Sequence, residues 1–201
     1  FLIQEVLNMV TKLTDGVYWV GVVDWPLRHF HGHELTTHRG STYNSYLIMD
    51  EKVVLVDTVW GPYVKDFIKN ISEIIDPSKI DIVVANHSEV DHSGGLPAVM
   101  RIAPSATVVV SERGKESIPG HYHQPWNFKA VKTGEKINIG KRDLVFIEAP
   151  MLHWPDSMFT YLTGDNILMP NDAFGQHYAS AFRFNDEVDR EELYEEALKY
   201  Y

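Results

Sequence analysis

The twelve residues from Asn86 to Pro97 constrain this chain more than any other feature of its sequence. They read Asn-His-Ser-Glu-Val-Asp-His-Ser-Gly-Gly-Leu-Pro and follow an apolar, β-branched run from Ile80 to Ala85. A run of that length and composition is typical of a buried strand. The polar segment is therefore predicted to be a loop at the end of a strand, and its two glycines let the backbone turn sharply away.

The side chains of this loop include a set that binds metal ions, namely His87, Glu89, Asp91 and His92. Imidazole and carboxylate together are the ligands of borderline and hard first-row metals, and the mixture favours iron or manganese over a thiolate-type zinc site. The alternative interpretation is a solvated polar loop with two incidental histidines.

Two later segments favour the metal site over the solvated loop. The stretch from Met151 to Ser157 contains His153, and the stretch from Pro170 to His177 contains Asp172. Each segment follows or borders an apolar run, so each can bring a ligand to the same end of a sheet as the loop that begins at Asn86.

The ordered set His-x-Glu-x-Asp-His, then His153, then Asp172 closely resembles that of the flavodiiron proteins, also called A-type flavoproteins. The resemblance runs from about Leu13 to Tyr201. It implies an α+β fold, the metallo-β-lactamase-like αβ/βα sandwich, in which two sheets pack face to face with helices outside. The family's chain continues with a last histidine ligand and a flavodoxin-like FMN domain. We therefore expect residues 1–12 to be an N-terminal extension and residues 13–201 to be a C-terminally incomplete diiron domain, with the FMN domain absent. By themselves these residues are not expected to form a competent enzyme.

The resemblance also implies roles for individual residues. The iron ligands are expected to be His87, Glu89 and His153 for one iron and Asp91 and His92 for the other, with Asp172 as the bridge. Family members differ in whether the histidine at the position of His92 binds directly or through water, so both arrangements stay open. The family's Phe-His-Gly motif, here centred on His31, lies near the distal side of the pocket. His31 is predicted to be a catalytic residue that either supports a metal ligand or faces the substrate.

The activity implied by the resemblance is reduction of dioxygen to water, of nitric oxide to nitrous oxide, or both, with electrons delivered through FMN. Expected partners are the flavodoxin-like FMN domain, an electron donor such as rubredoxin or a reduced flavin or deazaflavin cofactor, and a second copy in a head-to-tail homo-oligomer. The main rival is a metallo-β-lactamase-like zinc hydrolase, which carries a histidine where this chain has Glu89. A non-catalytic binding module is the other rival, and the intact set of ligand positions weighs against it.

Composition narrows the class of protein and its partners. With 201 residues, the chain is long enough for one domain. Its formal net charge of −10 would be repelled by nucleic acid or an anionic membrane surface, so neither is an expected partner. The absence of cysteine excludes disulfides and cysteine nucleophiles and fits a cytoplasmic location. No apolar run approaches the roughly 18 residues of a membrane span.

Apolar periodicity predicts the elements that surround the loop. The predicted strands are 16–23, 43–49, 52–58, 80–85, 106–110, 157–162 and 166–169, and the predicted helices are 62–75, 96–102, 111–117 and 187–201. Segments 128–131, 136–139 and 144–148 are predicted to form an antiparallel meander. Asp57 is expected to be a structural residue at a strand end, and His177 is not expected to be a ligand. Histidines 29, 33, 38, 121 and 123 are expected to lie in exposed loops.

Overall fold

Residues 10–30 and 35–200 are described by the structure, a computed structural model of the chain. The strands, in chain order, are β1 (Thr11–Thr14), β2 (Val17–Trp19), β3 (Val22–Asp24), β4 (His29–Phe30), β5 (Leu35–Thr36), β6 (Ser41–Tyr43), β7 (Tyr46–Met49), β8 (Val53–Val56), β9 (Ile82–Val84), β10 (Thr107–Ser111), β11 (Asn127–Val131), β12 (Lys136–Asn138), β13 (Asp143–Glu148), β14 (Met158–Leu162) and β15 (Ile167–Met169). The helices are α1 (Val64–Ser72), α2 (Val90–Ser93), α3 (Leu96–Ile102), α4 (Gly114–Tyr122) and α5 (Arg190–Tyr200). Short 3₁₀ helices, Gly61–Tyr63 and Pro77–Lys79, precede and follow α1.

A larger and a smaller sheet form the framework. The strand order of the larger sheet is β1-β2-β7-β8-β9-β10-β11, and that of the smaller sheet is β12-β13-β14-β15. Strands β8 to β11 run parallel to one another, whereas neighbouring strands of the smaller sheet are antiparallel. Parallel neighbours need long crossover connections, and α1 to α4 supply them. The predicted arrangement of two sheets with helices outside is therefore observed on the side of the larger sheet.

The central strands of the larger sheet are buried on both faces, as expected for parallel strands that carry helices on one side. Val54 and Val56 of β8 pack with Phe146 of the smaller sheet. Leu55 lies between them in sequence and packs on the other side, with Phe67 of α1. The alternation places one apolar layer between the sheets and another between the larger sheet and its helices.

Two predicted strands are each divided in the structure. The segment 16–23 forms β2 and β3, and the segment 43–49 forms β6 and β7, so that β3 pairs with β6 outside the larger sheet. Gly21 marks the division, because a Cβ at this position would lie 2.1 Å from the carbonyl oxygen of Tyr43. The backbones approach too closely here for any residue with a side chain.

The predicted meander is wrong in its first strand. β11 pairs in parallel with β10 and forms an edge of the larger sheet, while only β12 and β13 follow the predicted antiparallel pattern. The reason is the helix α4, which carries the chain back across the sheet before β11 and so permits a parallel crossover. Gly134 follows β11, with a positive φ of 85°, in the turn that leads to the smaller sheet.

The predicted bounds of α4 are also wrong. The helix begins at Gly114 rather than residue 111 and continues through Pro119, so His121 lies in a helix and not in a loop. Burial of Ile118 against the core holds this segment in place, which shows packing prevailing over local helix propensity. His121 and His123 are nevertheless exposed, as predicted.

Other local predictions are confirmed. Helix α3 spans Leu96–Ile102 as predicted, and β7 and β8 pair across the turn at Asp50 and Glu51.

The predicted boundary between the N-terminal extension and the domain falls within β1, which pairs with β2, so Thr11 and Lys12 belong to the larger sheet. Residues 1–9 of the predicted extension lie outside the described residues.

Substitution of Gly94 by alanine is expected to destabilise the protein. Its Cβ would lie 2.4 Å from the carbonyl oxygen of Val90 and 2.8 Å from the amide nitrogen of Gly61. We expect the free energy of unfolding to fall by about 1–3 kcal/mol, as in other overpacked sites. Gly61→Ala is the control, because nothing lies within 4 Å of its Cβ position. Equal urea-unfolding curves for the two variants would contradict this account.

Candidate metal centre

The loop after β9 is fixed by hydrogen bonds from its first residues. The amide nitrogen of Asn86 donates to Oδ1 of Asp57 at 2.7 Å, and that of Ser88 donates to Oδ2 of Asp156 at 2.7 Å. Helix α2 begins directly after Glu89, and the carbonyl of Glu89 accepts from Ser93. The backbone is thus held on both sides of His87, whose side chain is fully buried.

A first group of ligand atoms lies around Glu89. Oε2 of Glu89 is 3.2 Å from Nε2 of His87 and 3.0 Å from Nε2 of His153. Asp172 completes the group, since its Oδ2 is 3.5 Å from Nε2 of both histidines. One ligand atom from each of the four residues lies within 4.8 Å of the others, a spacing that could hold a metal ion.

A second group lies on the other side of Asp172. Its members are Asp91, His92 and the same Asp172. Nε2 of His92 is 3.0 Å from Oδ1 of Asp172 and 3.7 Å from Oδ2 of Asp91. Asp172 therefore presents Oδ2 to the first group and Oδ1 to the second, which is the geometry of a carboxylate shared between two sites.

Loops of the smaller sheet bring His153 and Asp172 to this position. His153 lies in the connection between β13 and β14, and Asp172 follows β15. Asn171 shapes the second loop: it has a positive φ of 47°, its side-chain amide donates to the carbonyl of Met158 at 2.8 Å, and its Oδ1 accepts from the amide of Asp172. Asparagine tolerates this left-handed conformation better than most residues.

The structure thus brings together all the residues predicted as metal ligands. These are His87, Glu89, Asp91, His92, His153 and Asp172. His31 lies outside the described residues, so its catalytic role stays a prediction, and the same holds for the exposed position predicted for His33. His29 and His38 are exposed, as predicted, but the loop predicted for His29 is wrong, because His29 lies in β4.

His177 belongs to neither ligand group. Its Nδ1 lies 3.0 Å from the hydroxyl of Ser41, and its ring packs 4.9 Å from that of Phe30 and 5.7 Å from that of Tyr200. The interpretation of His177 as a residue that does not bind metal agrees with this position.

The charges of the centre are strongly coupled. Burial raises the pKa of Asp91 to about 6. Burial acts in the same direction on Asp172, but the imidazoles of His92 and His153 more than offset it and hold the pKa of Asp172 well below its ordinary value. Interactions with Asp172 and Glu89 raise the pKa of His153 to about 10. Without metal, the imidazoles therefore act as the cations that balance the carboxylates.

The donor set also fits a metal ion. Among the described residues, Oδ1 of Asp91 and Oδ2 of Asp172 are buried oxygens that accept no hydrogen bond. Buried carboxylate oxygens without partners are costly, and a bound cation removes the cost. Mixed carboxylate and imidazole ligands suit first-row metals such as iron.

Two carboxylates behind the centre were not recognised from the sequence as contacts of its histidines. Oδ1 of Asp156 lies 3.5 Å from Nδ1 of His87, and Oδ2 of Asp57 lies 3.6 Å from Nδ1 of His92. The sequence predicts only a structural role for Asp57 and no role for Asp156. The position of Asp156 three residues after His153 does not predict a contact with His87, because only the fold brings Asp156 and His87 together.

In the part of the chain that the structure describes, no helix combines the length and the apolar character needed to cross a bilayer.

Comparison with known proteins identifies the class of protein to which the chain belongs. A sequence profile described as "ODP family beta lactamase" matches residues 42–197. The chain is 53% identical over 196 residues to a nitric oxide reductase of Moorella thermoacetica, an alignment that covers 97% of this chain and 49% of that protein. The chain spans about half the length of the curated relatives it matches.

Solved structures show the same fold. The rubredoxin oxygen:oxidoreductase of Desulfovibrio gigas matches with a TM-score of 0.91 at 40% identity, over 94% of this chain and 47% of that one. The flavodiiron protein from Giardia intestinalis matches with a TM-score of 0.89 at 40% identity, over 94% and 46% of the two chains. The fold is therefore the predicted metallo-β-lactamase-like sandwich. Within that class, this chain belongs to the family of flavodiiron proteins.

The metal-free protein is expected to lose stability as the pH rises from about 6.5 to about 10. His153 has a pKa of about 10 when folded, compared with about 6.5 in an unfolded chain. Its stabilising contribution is therefore complete below pH ~6.5 and is lost as the pH passes through ~10.

Urea unfolding of chelator-treated protein across this pH range measures the loss. His153→Gln should flatten the decline, whereas the matched substitution of an exposed histidine, His38→Gln, should leave it unchanged. A pH dependence that is the same in all three proteins would contradict the charge coupling described above.

Proposed function

We propose that the protein is a diiron oxidoreductase that reduces nitric oxide to nitrous oxide, dioxygen to water, or both, with electrons that arrive through FMN. The observation that carries this proposal is the shared carboxylate. Asp172 directs one oxygen toward each of two neighbouring ligand groups. Two metal ions held side by side need such shared anionic charge to offset their mutual repulsion.

The proposed ligands follow the two groups. The first iron would be held by His87, Glu89 and His153, the second by Asp91 and His92, with Asp172 as the bridge. We propose direct binding by His92, because one of its ring nitrogens lies in the second group of possible ligand atoms. When bound, the iron pair would supply two adjacent reducing centres for a diatomic gas or for a pair of gas molecules.

The protein's own residues would hold the charge and shape the approach. Glu89, Asp91 and Asp172 provide three negative charges in a largely buried space. A cavity of about 170 Å³ opens beside His153 and Asp172, and its lining is almost entirely apolar, from residues such as Leu152 and Phe174. An apolar entrance suits a small uncharged gas better than a polar substrate.

A polar cavity reaches the centre from the other side. It is lined by Asp91, His92, Tyr43 and His177 among others. The hydroxyl of Tyr43 donates to the buried carboxylate of Asp24 at 2.7 Å, so the phenol is fixed beside the second group. This polar side is suited to the passage of protons, which the proposed reductions consume, and of water, which they release.

The remaining partners belong to the proposal as well. Known relatives are a nitric oxide reductase and a rubredoxin oxygen:oxidoreductase, according to their names. We propose a flavodoxin-like FMN domain, rubredoxin or a reduced flavin or deazaflavin as electron donor, a head-to-tail homo-oligomer, and a cytoplasmic location. The zinc-hydrolase alternative is less well supported, because Glu89 occupies the position at which those enzymes carry histidine and contacts both histidines of the first group.

The proposal predicts gas consumption that depends on two irons. The chain, loaded with ferrous iron, joined to the proposed FMN domain and supplied with a reduced flavin donor, should consume nitric oxide or dioxygen. The rate with each gas then decides which is preferred. Esterase or lactamase turnover with stoichiometric zinc, and no gas consumption, would favour the hydrolase instead.

Metal analysis of two variants tests the shared carboxylate within the same experiment. Asp172→Ala should lose iron from both positions and abolish gas consumption, because the residue contacts both groups. His153→Ala should mainly weaken the first position, since His153 belongs to one group only. A normal complement of two irons in Asp172→Ala would show that the bridging assignment is wrong.

A further inference from the structure

The two histidines of the loop each turn their second ring nitrogen toward a buried carboxylate. Nδ1 of His87 lies 3.5 Å from Oδ1 of Asp156, and Nδ1 of His92 lies 3.6 Å from Oδ2 of Asp57. Both carboxylates are almost completely buried, with 2% and 3% of their surface exposed. The arrangement occurs once for each ligand group, since His87 belongs to the first and His92 to the second.

These ring nitrogens have no competing partner within residues 10–30 and 35–200. Nδ1 of His87, Nδ1 of His92 and Oδ1 of Asp156 are all buried and form no hydrogen bond at standard distance. A buried donor left without an acceptor is costly, so a hydrogen bond from each ring nitrogen to the carboxylate beside it is favourable. Contacts of this kind are often long before a site is loaded and shorten when it is filled.

Each carboxylate is itself held in place by the loop. Oδ2 of Asp156 accepts from the amide nitrogen of Ser88 at 2.7 Å, which leaves Oδ1 for His87. Oδ1 of Asp57 accepts from the amide nitrogen of Asn86 at 2.7 Å, and its Oδ2 accepts from the Asn86 side chain at 3.2 Å. The backbone anchors on either side of His87 are therefore the same carboxylates that face the two rings.

We propose that Asp156 and Asp57 are positioning residues, each of which keeps one ligand imidazole in the tautomer that presents Nε2 to the metal. A proton on Nδ1 that is donated to a carboxylate leaves Nε2 unprotonated and raises its basicity as a ligand. Asp156 acts on the first group through His87, and Asp57 acts on the second group through His92. The inference rests on the proposed diiron centre and adds one positioning carboxylate for each of its two ligand groups.

A purely structural role makes a different prediction. If Asp156 only anchors the loop through Ser88, then asparagine can replace it, because its carbonyl oxygen still accepts from the Ser88 amide. If Asp156 also orients His87, asparagine cannot replace it. The NH₂ group of asparagine must then face either Nδ1 of the ring or the Ser88 amide. The substitution therefore separates the two roles with almost no change in volume.

The test compares Asp156→Asn and Asp57→Asn with a matched control, Asp24→Asn. Asp24 is equally buried, with 1% of its surface exposed, but its carboxylate accepts from Tyr43 and from the amide of Leu27 instead of facing a ligand histidine. Iron affinity is measured in the intact protein by competition with a chelator. We expect one of the two irons to bind about 10–100-fold more weakly in Asp156→Asn, with the other retained.

Spectroscopy identifies which iron is affected. The Mössbauer spectrum of the iron retained in Asp156→Asn should match that of the iron retained in His153→Ala, because both changes strike the first group. The spectrum of the iron retained in Asp57→Asn should differ from it. In zinc-loaded protein with ¹⁵N-labelled histidine, NMR should place the ring proton of His87 and of His92 on Nδ1 in the wild type.

Two results would overturn the inference. One is a wild type that holds two irons while Asp156→Asn and Asp57→Asn hold both as tightly as Asp24→Asn does. The other is a ring proton on Nε2 of His87 or His92 in the loaded wild type. A wild type that holds no iron pair contradicts the proposed function itself, so the two failures are distinguishable.

Discussion

The carboxylate of Asp172 is the interaction on which the rest of the centre depends. One of its oxygens lies against His87 and His153, and the other lies against His92. Around it, the carboxylates of Glu89 and Asp91 are buried as well. Three acidic groups so close together require positive charge, which protonated imidazoles supply without metal and which cations would supply with it. The raised pKa of His153 and the lowered pKa of Asp172 are two consequences of the same arrangement.

The fold places this charge where strand ends of two sheets meet. The larger sheet delivers the loop after β9, and the smaller sheet delivers the loops that carry His153 and Asp172. The layer of Val54, Val56 and Phe146 between the sheets keeps these loops at a fixed separation. The loop after β9 has little freedom, because the buried carboxylates of Asp57 and Asp156 accept hydrogen bonds from its backbone on both sides of His87. Rigid strands and anchored loops together account for the close approach of ligands far apart in sequence.

The clustering of the candidate ligands could be predicted because chemistry and local pattern agree at each of them. Polar residues of metal-binding type follow apolar strands at His87, His153 and Asp172, and that pattern is visible in sequence. The contacts of Asp156 and Asp57 with the ligand histidines could not be predicted in the same way, since they depend on how the two sheets pack.

The wrong predictions about the fold have a similar origin. The parallel pairing of β11 depends on the crossover through α4, and the extension of that helix past Pro119 depends on the burial of Ile118. The division of β2 from β3 follows from the close approach of Gly21 to the carbonyl of Tyr43. In each case a long-range contact outweighed the local sequence pattern, and a single sequence does not reveal such contacts.

Anomalous diffraction at the iron absorption edge, from crystals of the iron-loaded protein, tests the central claim most directly. The account predicts two iron peaks roughly 3.5–4 Å apart, one beside His87, Glu89 and His153 and the other beside Asp91 and His92. The carboxylate of Asp172 should lie between the two peaks. A single peak, or two peaks of which only one contacts Asp172, would contradict the account.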